Sequence, residues 1–253
     1  MAKEYIKILP QFNDKTVFVD LFGGSGLLSH ITKYLRPDAT VVYNDFDNYR
    51  ERLAHIPQTN ALLADLREIV GNLPKNKKID GEMREKVLKR LRNEDYIDLI
   101  TISSSLRFPG QYTENFDEIE DGTLYNNIRK NDYQTSEDYL EGLTIESRDY
   151  RELYEKYKDN PNVVFIVDPP YLSTEVGTYK MYWRLPDYLD VLDVLKGKAF
   201  VYFTSNKSNI IELCEWLGKN STLGNPLEGC KRYEYNTHPN SIATYTDIML
   251  VKS

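Results

Sequence analysis

Asp168, Pro169, Pro170 and Tyr171 follow directly on five apolar residues, Val163 to Val167. A carboxylate, a stiffened backbone carbonyl and an aromatic ring are thus offered together at the tip of a buried strand. Proline fixes φ, so the Pro169 carbonyl is held in advance. An exocyclic amine on a nucleobase is a poor nucleophile, because its lone pair is delocalised into the ring. A carboxylate at Asp168 and a carbonyl at Pro169 can both accept from such an NH2 group. They draw it toward sp3 geometry and steady the positive charge that grows on nitrogen. Tyr171 offers a face on which a base taken out of its helix can stack. By themselves these four residues also fit a plain proline turn with a helix-capping aspartate, so their chemistry depends on what surrounds them.

A second constellation lies upstream. VDLFGGSGLLSH places Gly23, Gly24 and Gly26 between an apolar run and a helical one. Glycine permits a sharp turn and a close ligand approach. Asp45 ends the next apolar run, about twenty residues on, where an acid can accept from both hydroxyls of a ribose. Ser29 stands near the position of the third glycine of a dinucleotide fingerprint. That pattern disfavours NAD and suits a nucleoside ligand without a pyrophosphate, with S-adenosylmethionine the obvious one. Asp20, inside the first run, would then lie near the ammonium group of the cofactor.

The elements that must position these residues alternate. TVFVDLF, ATVVYND, NVVFIVD and KAFVYFTSN read as strands; LLSHITKYL, FDNYRERLAHI, DYRELYEKYKDN, PDYLDVLDVLKG and KSNIIELCEWLGK read as helices. KRYEYN and YTDIMLVKS read as closing antiparallel strands. This order predicts an α/β fold with a doubly wound, mostly parallel sheet and right-handed crossovers. Residues 61–146 break the pattern. They hold the helix MREKVLKRLRN, with Met83, Val87 and Leu91 on an inner stripe, then DYIDLITISSSLRF, of ambiguous type, and a polar stretch rich in Tyr and Asn. The expected organisation is one catalytic domain from residues 1–60 and 147–253, with a mainly helical insert at 61–146 that carries substrate contacts.

Composition narrows the class. The chain has 253 residues, 41% of them hydrophobic, enough for a core. No run is long enough to span a bilayer, and MAKEYIKILPQ lacks the apolar centre of a signal peptide. Two cysteines and three scattered histidines make disulfides and a metal centre unexpected, and a cytoplasmic setting fits. The net charge of −7 weighs against a polyanion partner, yet basic residues cluster between Lys75 and Arg92. Such a cluster is either a solvated helix face or an electrostatic footprint. Lys86, Lys89 and Arg90 are the candidate phosphate contacts, and Arg107, beside Phe108, the candidate for reading sequence.

Taken together, FVDLFGGSG, the insert and DPPY in that order resemble the Dam-type DNA N6-adenine methyltransferases, a group that includes phage-encoded enzymes. The resemblance covers most of the chain. It implies a Rossmann-like class I methyltransferase fold, S-adenosylmethionine as cofactor and double-stranded DNA as partner, in a bacterial cell or a phage-infected host. FVDLFGGSG, with Asp20, Phe22, Gly23, Gly24 and Gly26, is similar to the family's methionine-binding loop, and YNDFD to its ribose element, with Asp45 on the hydroxyls. SRDYREL resembles the acidic turn that holds the cofactor's adenine, implying a bond to Asp149 and packing by Tyr150. FTSN, with Ser205 and Asn206, resembles the strand end beside the target pocket, and SSSLRFPGQYTENF loosely resembles the recognition stretch. The family's opening aromatic–Gly–Lys element would fall before Met1. A restriction–modification role is compatible, as are two other readings: methylation of an RNA or free-base amine, and a degenerate methyltransferase fold serving as a DNA-binding protein.

Overall fold

The computed structural model describes residues 1–108, 111–170, 183–237 and 245–253. The chain runs through α1 (Ala2–Ile8), β1 (Val17–Asp20), α2 (Leu27–Leu35) and β2 (Thr40–Asn44). Then come α3 (Tyr49–Ala54), α4 (Ile56–Val70), β3 (Lys78–Ile79), α5 (Gly81–Arg92), α6 (Leu99–Leu106), α7 (Phe116–Asp121) and β4 (Leu124–Tyr125). The rest is β5 (Thr144–Glu146), α8 (Tyr150–Tyr157), β6 (Val163–Val167), α9 (Leu185–Leu195), β7 (Phe200–Ser205), α10 (Ile210–Asn220), β8 (Lys231–Thr237) and β9 (Tyr245–Lys252). It forms two compact units, one of Met1–Tyr49, Asp138–Val176 and Trp183–Ser253, the other centred on Arg50–Glu137. No helix among the described residues is long and apolar enough to cross a membrane.

The first unit is a seven-stranded sheet in the order β5-β2-β1-β6-β7-β9-β8. The four pairs from β5 to β7 are parallel, and β9 runs antiparallel to both β7 and β8. The apolar runs are nearly continuous because both faces are covered. On one face Val19, Phe165, Val167, Phe200 and Tyr202 cluster with Leu153 of α8, Val191, Leu192 and Leu195 of α9, and Cys214 and Leu217 of α10. On the other, Phe18, Val41, Val164, Ile166, Val201, Phe203 and Met249 cluster with Tyr5 and Ile8 of α1 and Leu28 of α2. All five residues of β6 are buried, so this strand is pinned on both sides and its end is a fixed platform. The sheet is the doubly wound, mostly parallel one that the alternation of elements predicts. The short edge strand β5 is the addition: three residues are too few for a periodic signal.

The second unit has its own core. Leu62, Leu63, Leu66 and Val70 of α4 cluster with Val87, Leu88 and Leu91 of α5, Ile102 and Leu106 of α6, Ile119 and Leu124. The stripe read on MREKVLKRLRN is therefore the inner face of α5, with Leu88 added to it. FDNYRERLAHI does not form one helix. It breaks at His55, and α4 restarts with Pro57 in its first turn, where a missing N–H costs nothing. DYIDLITISSSLRF resolves as a helix because Asp98 caps α6. Its buried carboxylate accepts from Thr101 N at 3.0 Å and the Thr101 hydroxyl at 2.7 Å, and pairs with Arg52 at 3.1 Å.

Candidate active site

The polar groups of the first unit gather where its parallel strands end. β1 finishes in Asp20, which is 1% exposed. The Ser29 hydroxyl donates to Asp20 Oδ2 at 2.8 Å, and the Phe22 backbone also donates to this carboxylate. Oδ1 has no partner among the described residues. Burial is the main reason that the carboxyl is pushed up to about 7. A desolvated acid with one orphaned oxygen is a ready partner for a cation.

The turn after Asp20 needs its glycines for two different reasons. Gly24 (φ 48°) and Gly26 (φ 71°) lie in the left-handed region. At Gly23 the constraint is a neighbour: a Cβ would strike the Tyr43 ring and stand 2.7 Å from the Asn44 carbonyl oxygen. Both obstacles belong to β2, a buried strand. Gly23→Ala is therefore expected to cost about 1–3 kcal/mol of stability through overpacking. Urea denaturation checks this, and an unchanged midpoint would mean that β2 yields to the added methyl group.

Tyr43 was not legible as a site residue. Its hydroxyl lies 2.8 Å from the Gly24 carbonyl and 3.0 Å from Asp45 Oδ1, so it links the glycine turn to the acid after β2. Asp45 is 4% exposed. Its Oδ1 also accepts from Tyr49 N at 2.5 Å, and its own N–H donates to Glu146 O of β5 at 2.7 Å. Asp45 thus holds its own turn just after β2. Asn44 is a second unforeseen residue. Its amide donates to Leu21 O and Arg148 O and accepts from Arg148 N, each at 3.0 Å. It fixes the segment before α8 against the end of β1.

That segment brings Asp149 and Tyr150 into place. Asp149 caps α8 by accepting from Arg151 N at 2.9 Å. Tyr150 is buried and packs on Phe22 with ring centroids 5.0 Å apart. Trp183 joins them, 5.6 Å from Phe22 and 6.0 Å from Tyr150. Nothing in the spacing announced Trp183, because it comes from beyond the DPPY turn.

β6 delivers Asp168, partly buried, followed by buried Pro169 and Pro170; Tyr171 lies outside the described residues. The Asp168 carboxyl is pushed up to about 7, by burial first and then by Asp20 and Asp247, against a smaller opposing effect of the Met1 amine. Ser205 closes β7 and is buried, while Asn206 ties β7 to β9 through Thr246, by two bonds of 2.9 and 3.0 Å. Asp20, Phe22, Gly23, Gly24, Gly26, Asp45, Asp149, Tyr150 and Asp168 therefore all belong to the first unit and sit at or just beyond strand or helix ends.

The basic candidates belong to the second unit and are not bare. Arg90 lies 2.8 Å from Asp65 and also pairs with Glu94. Lys86 lies 2.8 Å from Glu82, and Arg107 lies 2.9 Å from Glu118. Lys89 is exposed. Most of the positive charge read on α5 is thus balanced by carboxylates of the same unit.

The family profile of the D12 class N6 adenine-specific DNA methyltransferases matches residues 1–190. The chain belongs to this family. It is also 35% identical over 243 residues to a Haemophilus influenzae protein named "Putative methyltransferase", an overlap of 92% of this chain and 80% of the relative. Membership in the D12 class makes the protein an adenine-specific DNA methyltransferase. The D12 class acts on N6 of adenine, with DNA as the substrate.

Proposed function

We propose that this methyltransferase takes its methyl group from S-adenosylmethionine and delivers it to an adenine swung out of duplex DNA. The observation that carries the reading is the placing of two carboxylates, buried Asp20 with its unpartnered oxygen and partly buried Asp168, at the ends of the adjacent parallel strands β1 and β6. The groups present fit the cofactor. Asp20, with its orphaned oxygen, and the Gly24–Gly26 turn would hold its amino-acid end; Asp45 would take the ribose; Phe22, Tyr150 and Trp183, with Asp149, would take the adenine. When bound, the cofactor supplies an electrophilic methyl group on a sulfonium. Asp168 and the Pro169 carbonyl accept from the target amine, and Tyr171 stacks on the base.

On the DNA side, Lys86, Lys89 and Arg90 are proposed to act through phosphates and Arg107 to contribute to sequence discrimination. Lys86 and Arg90 would exchange carboxylate partners for phosphates, which leaves Lys89 as the strongest single contributor. A setting in the cytoplasm of a bacterium or a phage-infected host suits a DNA-modifying enzyme.

Calorimetry tests the cofactor assignment. S-adenosylmethionine is expected to bind and NAD not to. Asp45→Asn keeps an oxygen acceptor for Tyr49 N but removes the charge, so binding is separated from folding. It should weaken S-adenosylmethionine by the value of one or two charge-assisted hydrogen bonds, about 1.5–3 kcal/mol each. Unchanged affinity would place the ribose elsewhere.

A further inference from the structure

Two of the rings proposed to take the cofactor's adenine come from elements far apart in the chain. Tyr150 opens α8, just after the capping Asp149, whereas Trp183 stands two residues ahead of α9. Rings on separate elements keep a fixed spacing only if something ties the elements together. Arg151 makes that tie. Its Nη2 lies 2.6 Å from Asp190 Oδ2 and 3.4 Å from Asp187 Oδ1, both on α9. Its Nη1 lies 3.6 Å from Asp149 Oδ2, and its guanidinium carbon stands 4.7 Å from the centre of the Tyr150 ring, within cation–π range.

Asp187 carries the tie on to Trp183. Its Oδ2 accepts from Arg184 N at 2.7 Å, and its own N–H donates to the Arg184 carbonyl at 3.0 Å. Arg184 is the next residue after Trp183. The Trp183 ring, partly buried, meets Tyr188 of the first turn of α9 edge-on at 5.1 Å. One carboxylate thus serves Arg151 through Oδ1 and the backbone beside Trp183 through Oδ2. Asp190 binds the same guanidinium but lies nearly a turn further along α9. An isolated exposed ion pair is worth little. Here a planar fork of fixed donors is shared among three carboxylates and a ring face, so it transmits direction as well as charge.

We propose that Arg151 and Asp187 are positioning residues for the cofactor, a clasp that sets the distance between the Tyr150 and Trp183 walls of the adenine slot and holds Asp149 beside it. The inference rests on the reading of Phe22, Tyr150 and Trp183 as that slot. The clasp touches neither the methyl group nor the target amine. Its effect therefore belongs to cofactor binding and not to the chemical step.

The test compares three variants. Arg151→Met keeps the apolar stem and removes the fork. Asp187→Asn keeps an acceptor for Arg184 N and removes the charge that faces Arg151. Asp190→Asn is the control, because it breaks the shorter contact without touching the backbone beside Trp183. By calorimetry, S-adenosylmethionine should bind about three- to tenfold more weakly to the first two and within about twofold of wild type to the control. Arg151→Met combined with Asp187→Asn should lose no more than Arg151→Met alone, since both break one tie. KM for the cofactor should rise while kcat at saturating cofactor holds. In a Trp216→Phe background Trp183 is the one remaining tryptophan, and its emission in the ligand-free protein should move to the red in Arg151→Met and Asp187→Asn. A tie that only stabilises the fold gives a different pattern: Asp190→Asn weakens binding most, and the emission stays put. That pattern, additive losses in the double variant, or wild-type affinity in both single variants overturns the proposal. Should Arg151→Met fold poorly, Asp187→Asn against Asp190→Asn carries the test. Trp183→Ala separates the clasp from the underlying reading. If it binds S-adenosylmethionine as wild type does, the slot falls and the clasp with it; if it binds weakly while Arg151→Met and Asp187→Asn bind normally, the slot stands and only the clasp is removed.

Discussion

Asp168→Ala is expected to lower methyl transfer by about a hundred- to a thousand-fold, the scale of losing a preorganised group that stabilises developing charge. The amine that attacks the methyl group becomes positive as it reacts. A carboxylate fixed at the end of β6 meets that charge without reorganising, because all five strand residues before it are buried and two buried prolines follow. Asp168→Asn should fail nearly as badly, since an amide keeps the shape and loses the charge. Affinity for S-adenosylmethionine should change little in either variant, because the groups proposed to hold it lie at the ends of β1 and β2, at the start of α8 and at Trp183. Single-turnover kinetics with parallel calorimetry make the comparison. Near-normal turnover by either variant would take Asp168 out of the mechanism, and a parallel collapse of cofactor affinity would assign it to binding instead.

Asp20→Asn is expected to make the ligand-free protein more stable at pH 8 while weakening cofactor binding. The folded-state carboxyl sits near 7, against an unfolded value of about 3.9. Between those values the folded protein holds a proton that the unfolded chain has lost, so stability is highest below about 4 and declines as pH rises to about 7. The loss at pH 8 is on the order of 2–4 kcal/mol. Replacing the acid by its neutral isostere removes that decline at Asp20. It also relieves Asp168, whose carboxyl Asp20 helps to raise. Thermal unfolding from pH 5 to pH 8 should therefore give a falling midpoint for wild type and a flatter line for Asp20→Asn. An equal slope in the two would mean that Asp20 is ionised in the folded state without strain. The expected trade, stability gained and ligand affinity lost, marks a group kept for binding.

The parallel sheet was legible in the sequence because its strands are apolar on both faces and each ends in a distinct polar signal: Asp20 with the glycines, Asp45, and DPPY. Those signals also made most of the candidate site readable, since residues at strand tips are fixed by the strands themselves. Three things were not readable. Tyr43 sits inside an apolar run and looks like core, yet its hydroxyl joins Gly24 to Asp45. Asn44 works through backbone groups more than a hundred positions away along the chain, on Arg148. At Gly23 the sequence signals a close approach to the backbone, but not that the Tyr43 ring of the neighbouring strand makes one. In the second unit the basic run on α5 was counted correctly, but its partners Asp65, Glu94 and Glu120 come from outside the helix. Sequence proximity overstated the free charge for that reason.

The most direct test of the account follows the methyl group. Wild-type protein and Asp168→Ala are incubated with unmethylated duplex DNA and S-adenosylmethionine carrying an isotopically labelled methyl, and the DNA is digested to nucleosides for mass spectrometry. Label in N6-methyladenine with wild type, and its absence with Asp168→Ala, is the predicted result. Label in a methylated cytosine, label only when RNA replaces the duplex, or equal labelling by both proteins would contradict it.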